Sequence, residues 1–112
     1  MDIIFSTSKL RKLCNDRSRL TRKYGFRQAA LIRQRLDELR AAETLQDLRY
    51  LPAARCHELT GDRQGKLSVD LVHPYRLLFL PGDEPAPRKE DGGLDWTGVT
   101  AVEILGVEDT HG

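Results

Sequence analysis

The sequence predicts an α+β fold in which an N-terminal strand and a two-helix hairpin pack on a mostly antiparallel sheet. Two observations predict it. Apolar residues recur every three or four positions in the first half of the chain and every second position in the latter half. Helical and strand signals are also segregated along the chain rather than alternating, which is α+β order rather than α/β order. The 112 residues suit one domain, since domains usually run about 100–150 residues. We expect a single domain over 1–112, with a flexible Pro/Gly-rich loop inserted at 81–98.

Each element has a local reason. Ile3, Ile4 and Phe5 are a short β-prone run. Ser6, Thr7 and Ser8 follow with hydroxyls able to cap a helix. A short basic helix is expected through Leu10 and Leu13. A longer one is expected over 25–42, where Ala29, Ile32, Leu36 and Leu39 form one apolar stripe. Arg33 and Asp37 lie off that stripe at i,i+4 spacing. Residues 44–51 suit a further helical turn that Pro52 ends. Residues 54–59 read as a strand entering a turn at Thr60, Gly61 and Asp62. Leu67, Val69 and Leu71 alternate with Ser68 and Asp70, as in a half-buried strand. His73-Pro74 is a turn, and 75–80 is a second strand able to pair with the first as a hairpin. Segment 81–98 holds three of the five prolines and four of the nine glycines, so it reads as loop. The β-branched run 100–107 is the last strand.

Composition removes several functions. With three Phe, three Tyr and one Trp, a base-stacking surface of many aromatic platforms is not available. No run approaches the roughly 20 apolar residues that cross a bilayer, and the N-terminus has no basic, apolar leader pattern. Cys14 and Cys56 lack metal or redox spacing, which implies reduced thiols in a cytoplasmic protein. His57, His111, Asp109 and Cys56 match no compact zinc motif. A strained nucleophile turn and a glycine-rich phosphate loop are both missing. No cofactor is implied.

Charge is distributed unevenly. Residues 1–50 hold twelve Lys/Arg against six Asp/Glu, and 51–112 hold six against eleven. The densest stretch, 9–27, carries eight cations and the single acid Asp16. Such a basic half suits a polyanion, nucleic acid first. The other reading is that these arginines solvate a helix face or meet the acidic second half. Composition does not choose between them.

What remains for chemistry is a group of His, Asp and Arg. His57 and His111 both fall at expected strand ends. Arg63 and Arg76 lie on the strand half, where cations are scarce. A guanidinium matches phosphate with a bidentate fork. Histidine and arginine together suffice for RNA cleavage without a metal: a base takes the 2′-OH proton, a cation stabilises charge on phosphorus, and an acid protonates the leaving oxygen. Alternatively, Arg63 and Arg76 form surface pairs with Asp62 and Asp70, which contribute little.

Three ordered blocks then resemble one family. His57-Glu58-Leu59-Thr60-Gly61-Asp62-Arg63-Gln64-Gly65-Lys66-Leu67-Ser68-Val69 resembles the His-x-Leu-x-Gly-Asp-Arg core of HigB-type toxins, in the RelE/ParE toxin–antitoxin superfamily. Tyr75-Arg76-Leu77-Leu78-Phe79 resembles that family's Trp-Arg-Ile-x-Phe strand, and Glu108-Asp109-Thr110-His111 its closing Glu-Asp-Tyr-His. The resemblance implies a RelE-like fold and a ribosome-dependent mRNA endonuclease that uses no metal. It implies catalytic roles for His57, Asp109 and His111, with Arg63 and Arg76 at the basic positions where phosphate contact is inferred. Base and acid are not assigned between the two histidines. Lys9, Arg11, Lys12, Arg17, Arg19, Arg22, Lys23 and Arg27 would face ribosomal RNA. The implied partners are a HigA-type helix-turn-helix antitoxin, the ribosome and mRNA. The sequence departs from the pattern at Thr110, where the family has tyrosine, at Leu67, where it has tryptophan, and in the 81–98 insertion. Those departures keep open a weak or inactive relative that acts by protein binding, either as an antitoxin partner or as a ParE-like topoisomerase inhibitor.

Overall fold

Two capping side chains divide the basic N-terminal segment into two helices where one was expected. The Thr7 hydroxyl accepts from the Leu10 N–H at 3.0 Å and starts α1, Ser8–Cys14. The Asp16 carboxylate accepts from the Arg19 N–H at 3.0 Å and starts α2, Arg17–Tyr24. Each cap satisfies a donor that a helix leaves orphaned in its first turn. Gly25, at φ +83°, then connects α2 directly to α3, Phe26–Ala41. That positive φ is open to glycine and strained for other residues. The hairpin is therefore α2–α3, with α1 added before it.

This computed structural model describes residues 1–110. Ala29, Ile32, Leu36 and Leu39 are buried, as their spacing predicts. Gln28 and Arg35 are buried beside them. Asp37 meets Arg40 at 3.5 Å rather than the expected Arg33. After α3 the chain forms two 3₁₀ helices, Leu45–Tyr50 and Pro52–Ala54. Arg55 then adopts a left-handed conformation, φ 44°, which interrupts the strand expected over 54–59. Only His57–Glu58 remains extended, as β2.

The sheet completes an α+β architecture. β1 (Asp2–Phe5), β3 (Leu67–Asp70), β4 (Tyr75–Pro81) and β5 (Ala101–Asp109) join β2 in the order β1-β5-β4-β3-β2. β1 runs parallel to β5, and every other pairing is antiparallel. Leu67, Val69, Leu77, Phe79, Val102 and Ile104 point into the core shared with the α3 stripe. Alternation sends their neighbours to the other face. There the register aligns His57, Ser68, Leu78 and Gly106 in one row across four strands. Asp70, Arg76 and Glu108 form the next row.

A bulge keeps β5 in phase with that arrangement. Leu78 faces Gly106 while Phe79 faces Ile104, so Leu105 is the extra residue. Without it, Ile104 and Val107 would point to opposite faces, and Glu108 would leave Arg76's side. Gly106 takes φ +143° at this point, a conformation that glycine tolerates.

Segment 82–100 runs against the body. Leu94 and Trp96 are buried, and Arg88 bridges to Leu94. The Asp83 carboxylate accepts from the Thr100 N–H at 3.0 Å, the Thr100 hydroxyl at 2.6 Å and the Ala101 N–H at 3.1 Å. Among the described residues no helix is long and apolar enough to cross a membrane.

Partial burial would raise the Asp83 pKa, but the bonds from Thr100 and Ala101 outweigh it and hold the carboxyl below its ordinary 3.8. Asp83→Ala is expected to cost about 1 kcal/mol of stability at pH 7, a low value because these bonds are open to water. A depressed carboxylate contributes above its unfolded pKa, so the gap between wild type and variant should close as pH falls below 3.8. Urea unfolding at pH 7 and at acid pH checks both points.

Candidate active site

β2 is two residues long, yet its pairing with β3 fixes where His57 points. His57 faces Ser68 on the side of the sheet away from the helices. Its ring is held through both nitrogens. Nδ1 lies 2.8 Å from the Arg55 carbonyl, and Nε2 lies 3.1 Å from Arg76 Nη1. A carbonyl only accepts and a guanidinium only donates. The partners therefore assign one tautomer: Nδ1–H donates to Arg55, and the Nε2 lone pair accepts from Arg76.

Arg76 reaches His57 from β4 while its Nε lies 3.4 Å from Asp70 Oδ1. The other Asp70 oxygen lies 3.4 Å from Arg55 Nη1. Asp70 thus sits between two guanidiniums, and the pairing of Arg76 with Asp70 anticipated as the surface alternative is formed. Arg63 comes from the 3₁₀ turn Gly61–Arg63, with its Nε 4.0 Å from Glu108 Oε2. Both Arg63 Nε and Asp70 Oδ1 are shielded from solvent and lack an aligned hydrogen bond. His57, Leu59, Thr60, Arg63, Arg76 and Thr110, with Glu58, line a polar cleft of about 260 Å³.

The structure thus brings together His57, Arg63 and Arg76. Asp109 is placed differently. It shares a register position with Tyr75, one step from the Arg76–Glu108 pair, so alternation puts it on the opposite face. His111 lies outside the described residues. Thr110, at the departure from the family pattern, is among the cleft residues.

The eight cations at 9–27 do not line this cleft. All eight are exposed. Lys9, Arg19 and Lys23 border a separate groove of about 430 Å³ with Leu10, Leu13, Tyr24 and Val107. Arg19 also meets Asp16 at 3.4 Å. Among the described residues no group of three His, Cys, Asp or Glu side chains is placed to hold a metal ion.

Sequence reasoning did not find Arg55. Its role depends on a left-handed backbone that no local glycine or asparagine announces. Glu58 was legible only as part of a motif. Its Oε2 accepts from Trp96 Nε1 at 3.0 Å, a contact across 38 residues that no local pattern encodes.

With this geometry in place, comparison with known families is decisive. The model for RelE-like toxins of the type II toxin–antitoxin system HigB matches residues 4–86. The chain belongs to this family. The matched span includes His57, Arg63 and Arg76, while Asp109 and Thr110 lie beyond it. No curated protein matches the chain. As a type II toxin, this HigB-like protein has an antitoxin as its partner.

The toxin's two cysteines are built for packing rather than reaction. Burial pushes the Cys56 thiol up to about 12, with Arg49 opposing and Glu58 adding to the shift. Burial also raises Cys14, against the pull of Arg40. Alkylation of the folded toxin at pH 8 should therefore be much slower than in urea. The unfolded Cys56 ionises near 9.0 and the folded one near 12. Its contribution to stability is complete below 9.0 and lost as pH rises towards 12. The urea midpoint should fall through that window, and less so in Cys56→Ala.

Proposed function

We propose that this HigB-like toxin is an mRNA endonuclease that acts at the ribosome by 2′-OH attack. The observation that carries the reading is the His57–Arg76 contact in a polar cleft that also holds Arg63. The Nε2 lone pair is the base. An RNA phosphate draws the Arg76 guanidinium onto its oxygens, since a charge-assisted pair is stronger than a bond to a neutral ring. Nε2 is then free to accept the 2′-OH proton. The O2′–P bond forms, the P–O5′ bond breaks, and the products are a 2′,3′-cyclic phosphate and a 5′-OH. Nδ1–H, donating to the Arg55 carbonyl, steadies the imidazolium that forms.

Arg76 and Arg63 stabilise the added charge on the phosphorane. Arg63 Nε, shielded and without an aligned partner, is a donor that an anion would satisfy. His111 is the proposed acid that protonates the 5′-oxygen; Asp109, whose register position faces away from the cleft, holds its proposed catalytic role from the resemblance alone. No metal or cofactor enters this scheme. The exposed cations at 9–27 are proposed to contact ribosomal RNA, away from the cleft. The toxin would act in the cytoplasm, restrained by a HigA-type helix-turn-helix antitoxin. We assign these roles to one domain over 1–112, with 81–98 as its insertion.

Thr110 favours a second reading. It lines the cleft where the resemblance implies a tyrosine, so the phenol's stacking surface and hydroxyl reach are missing there. A weak or inactive toxin acting by protein contact would tolerate that loss.

Primer extension on mRNA after brief induction separates the two readings. Codon-phased cuts are expected with wild type. His57→Ala should reduce cleavage about 10²–10⁴-fold, and Arg76→Ala about 10²–10³-fold. Growth arrest without cuts would support the protein-contact reading instead. Ribosome binding should weaken steeply with salt, and Lys12→Glu with Arg22→Glu should flatten that slope. A sedimentation assay across a salt series measures it.

A further inference from the structure

We propose that Arg35, buried in the middle of α3, is the positioning residue of the His57 cleft. This rests on the nuclease reading for its functional consequence but not for its geometry. Arg35 is 5% exposed and points away from solvent, unlike the other arginines of its helix. Its Nε donates to the Asp70 carbonyl at 2.7 Å, and its Nη2 donates to the Ala53 carbonyl at 3.0 Å. Its Nη1 meets Glu38 at 2.9 Å on the same helix.

Those two carbonyls lie on the two chain segments that hold the histidine. Ala53 lies two residues before Arg55, whose carbonyl accepts from His57 Nδ1–H. Asp70 carries the carboxylate beside Arg76 Nε, and Arg76 Nη1 donates to His57 Nε2. Both ring nitrogens therefore trace back to one guanidinium. The helix layer reaches through the sheet's end to set the orientation of a ring on the far face.

The residue type follows from the task. The donors must point to two carbonyls in different directions while a third edge meets a carboxylate. Arginine offers five N–H groups in a fixed planar fork. Lysine offers a point charge that can reach one carbonyl well. Arg35 touches no substrate in this scheme, and it acts through Arg55, Asp70 and Arg76.

The test uses ¹⁵N NMR of the His57 ring in the purified toxin, with Arg35→Lys, and with the exposed Arg40→Lys as control. Thermal unfolding confirms that each variant is folded. Wild type and Arg40→Lys should show a single Nδ1–H tautomer. Arg35→Lys should show a ring that averages between tautomers. Ribosomal mRNA cleavage should then lose about 10–100-fold in kcat, as expected for misplaced catalytic groups, with KM nearly unchanged.

An Arg35→Lys toxin that folds and keeps the wild-type ring spectrum overturns the proposal, whatever its activity. A disturbed ring in a protein whose wild type cleaves nothing upholds the positioning role and overturns the nuclease reading alone. If Arg35→Lys does not fold, Asp70→Asn carries the test. That variant keeps the backbone carbonyl that Arg35 holds and removes the charge that pairs with both Arg76 and Arg55. It should change the Nε2 resonance most, through Arg76, and an unchanged ring spectrum would overturn the proposal.

Discussion

A sheet covered by helices on one face divides its strands by parity. Residues that point towards α3 must be apolar, because they meet Ile32, Leu36 and Leu39 in the core. Their neighbours face the other way and escape that demand. Here the strands use this freedom to set His57, Asp70, Arg76 and Glu108 in adjacent rows. Burial of the first set fixes the geometry of the second, since a one-residue slip would invert both. The bulge at Leu105 extends the rule through the end of β5. The cleft is thus a by-product of core packing, refined by a few polar contacts.

Gathering cations on one surface has its own cost. Arg55, Arg63 and Arg76 repel one another, and each is answered by a carboxylate at 3.4–4.0 Å. These carboxylates hold the guanidiniums in place without saturating them. The contacts are long, and two of the atoms involved lack aligned hydrogen bonds. The same arithmetic separates this cleft from the groove at Lys9, Arg19 and Lys23. There the cations border an apolar floor of Leu10, Leu13 and Val107, with no histidine among the lining residues.

The elements that depend on periodicity were legible in the sequence. The α3 stripe and the β3–β4 hairpin follow from spacing and the last strand from its β-branched run, and the His57, Arg63 and Arg76 motifs led to the cleft. The misses have physical reasons. A short helix was expected through Leu10 and Leu13, and the second helix over 17–24 was missed because Asp16 reads as one acid among cations, whereas its carboxylate caps α2. The strand at 54–59 shrank because Arg55 takes a left-handed turn without a residue that advertises one. Arg35 was overlooked because arginine usually marks a solvated face. It lies three residues after Ile32 and four before Leu39, within the buried stripe, and that position was the available signal.

The toxin has one tryptophan, and its placement has an optical consequence. Trp96 is buried under the Arg49 guanidinium, 4.0 Å from the ring centroid. Its indole N–H is bonded to Glu58, a residue that borders the His57 cleft. Emission from the chain's sole indole therefore comes from a single environment at the rim of that cleft. The segment that carries it acts as a built-in fluorophore, sensitive to whatever displaces Glu58 or lifts Arg49, so changes at the cleft rim can be followed without a label.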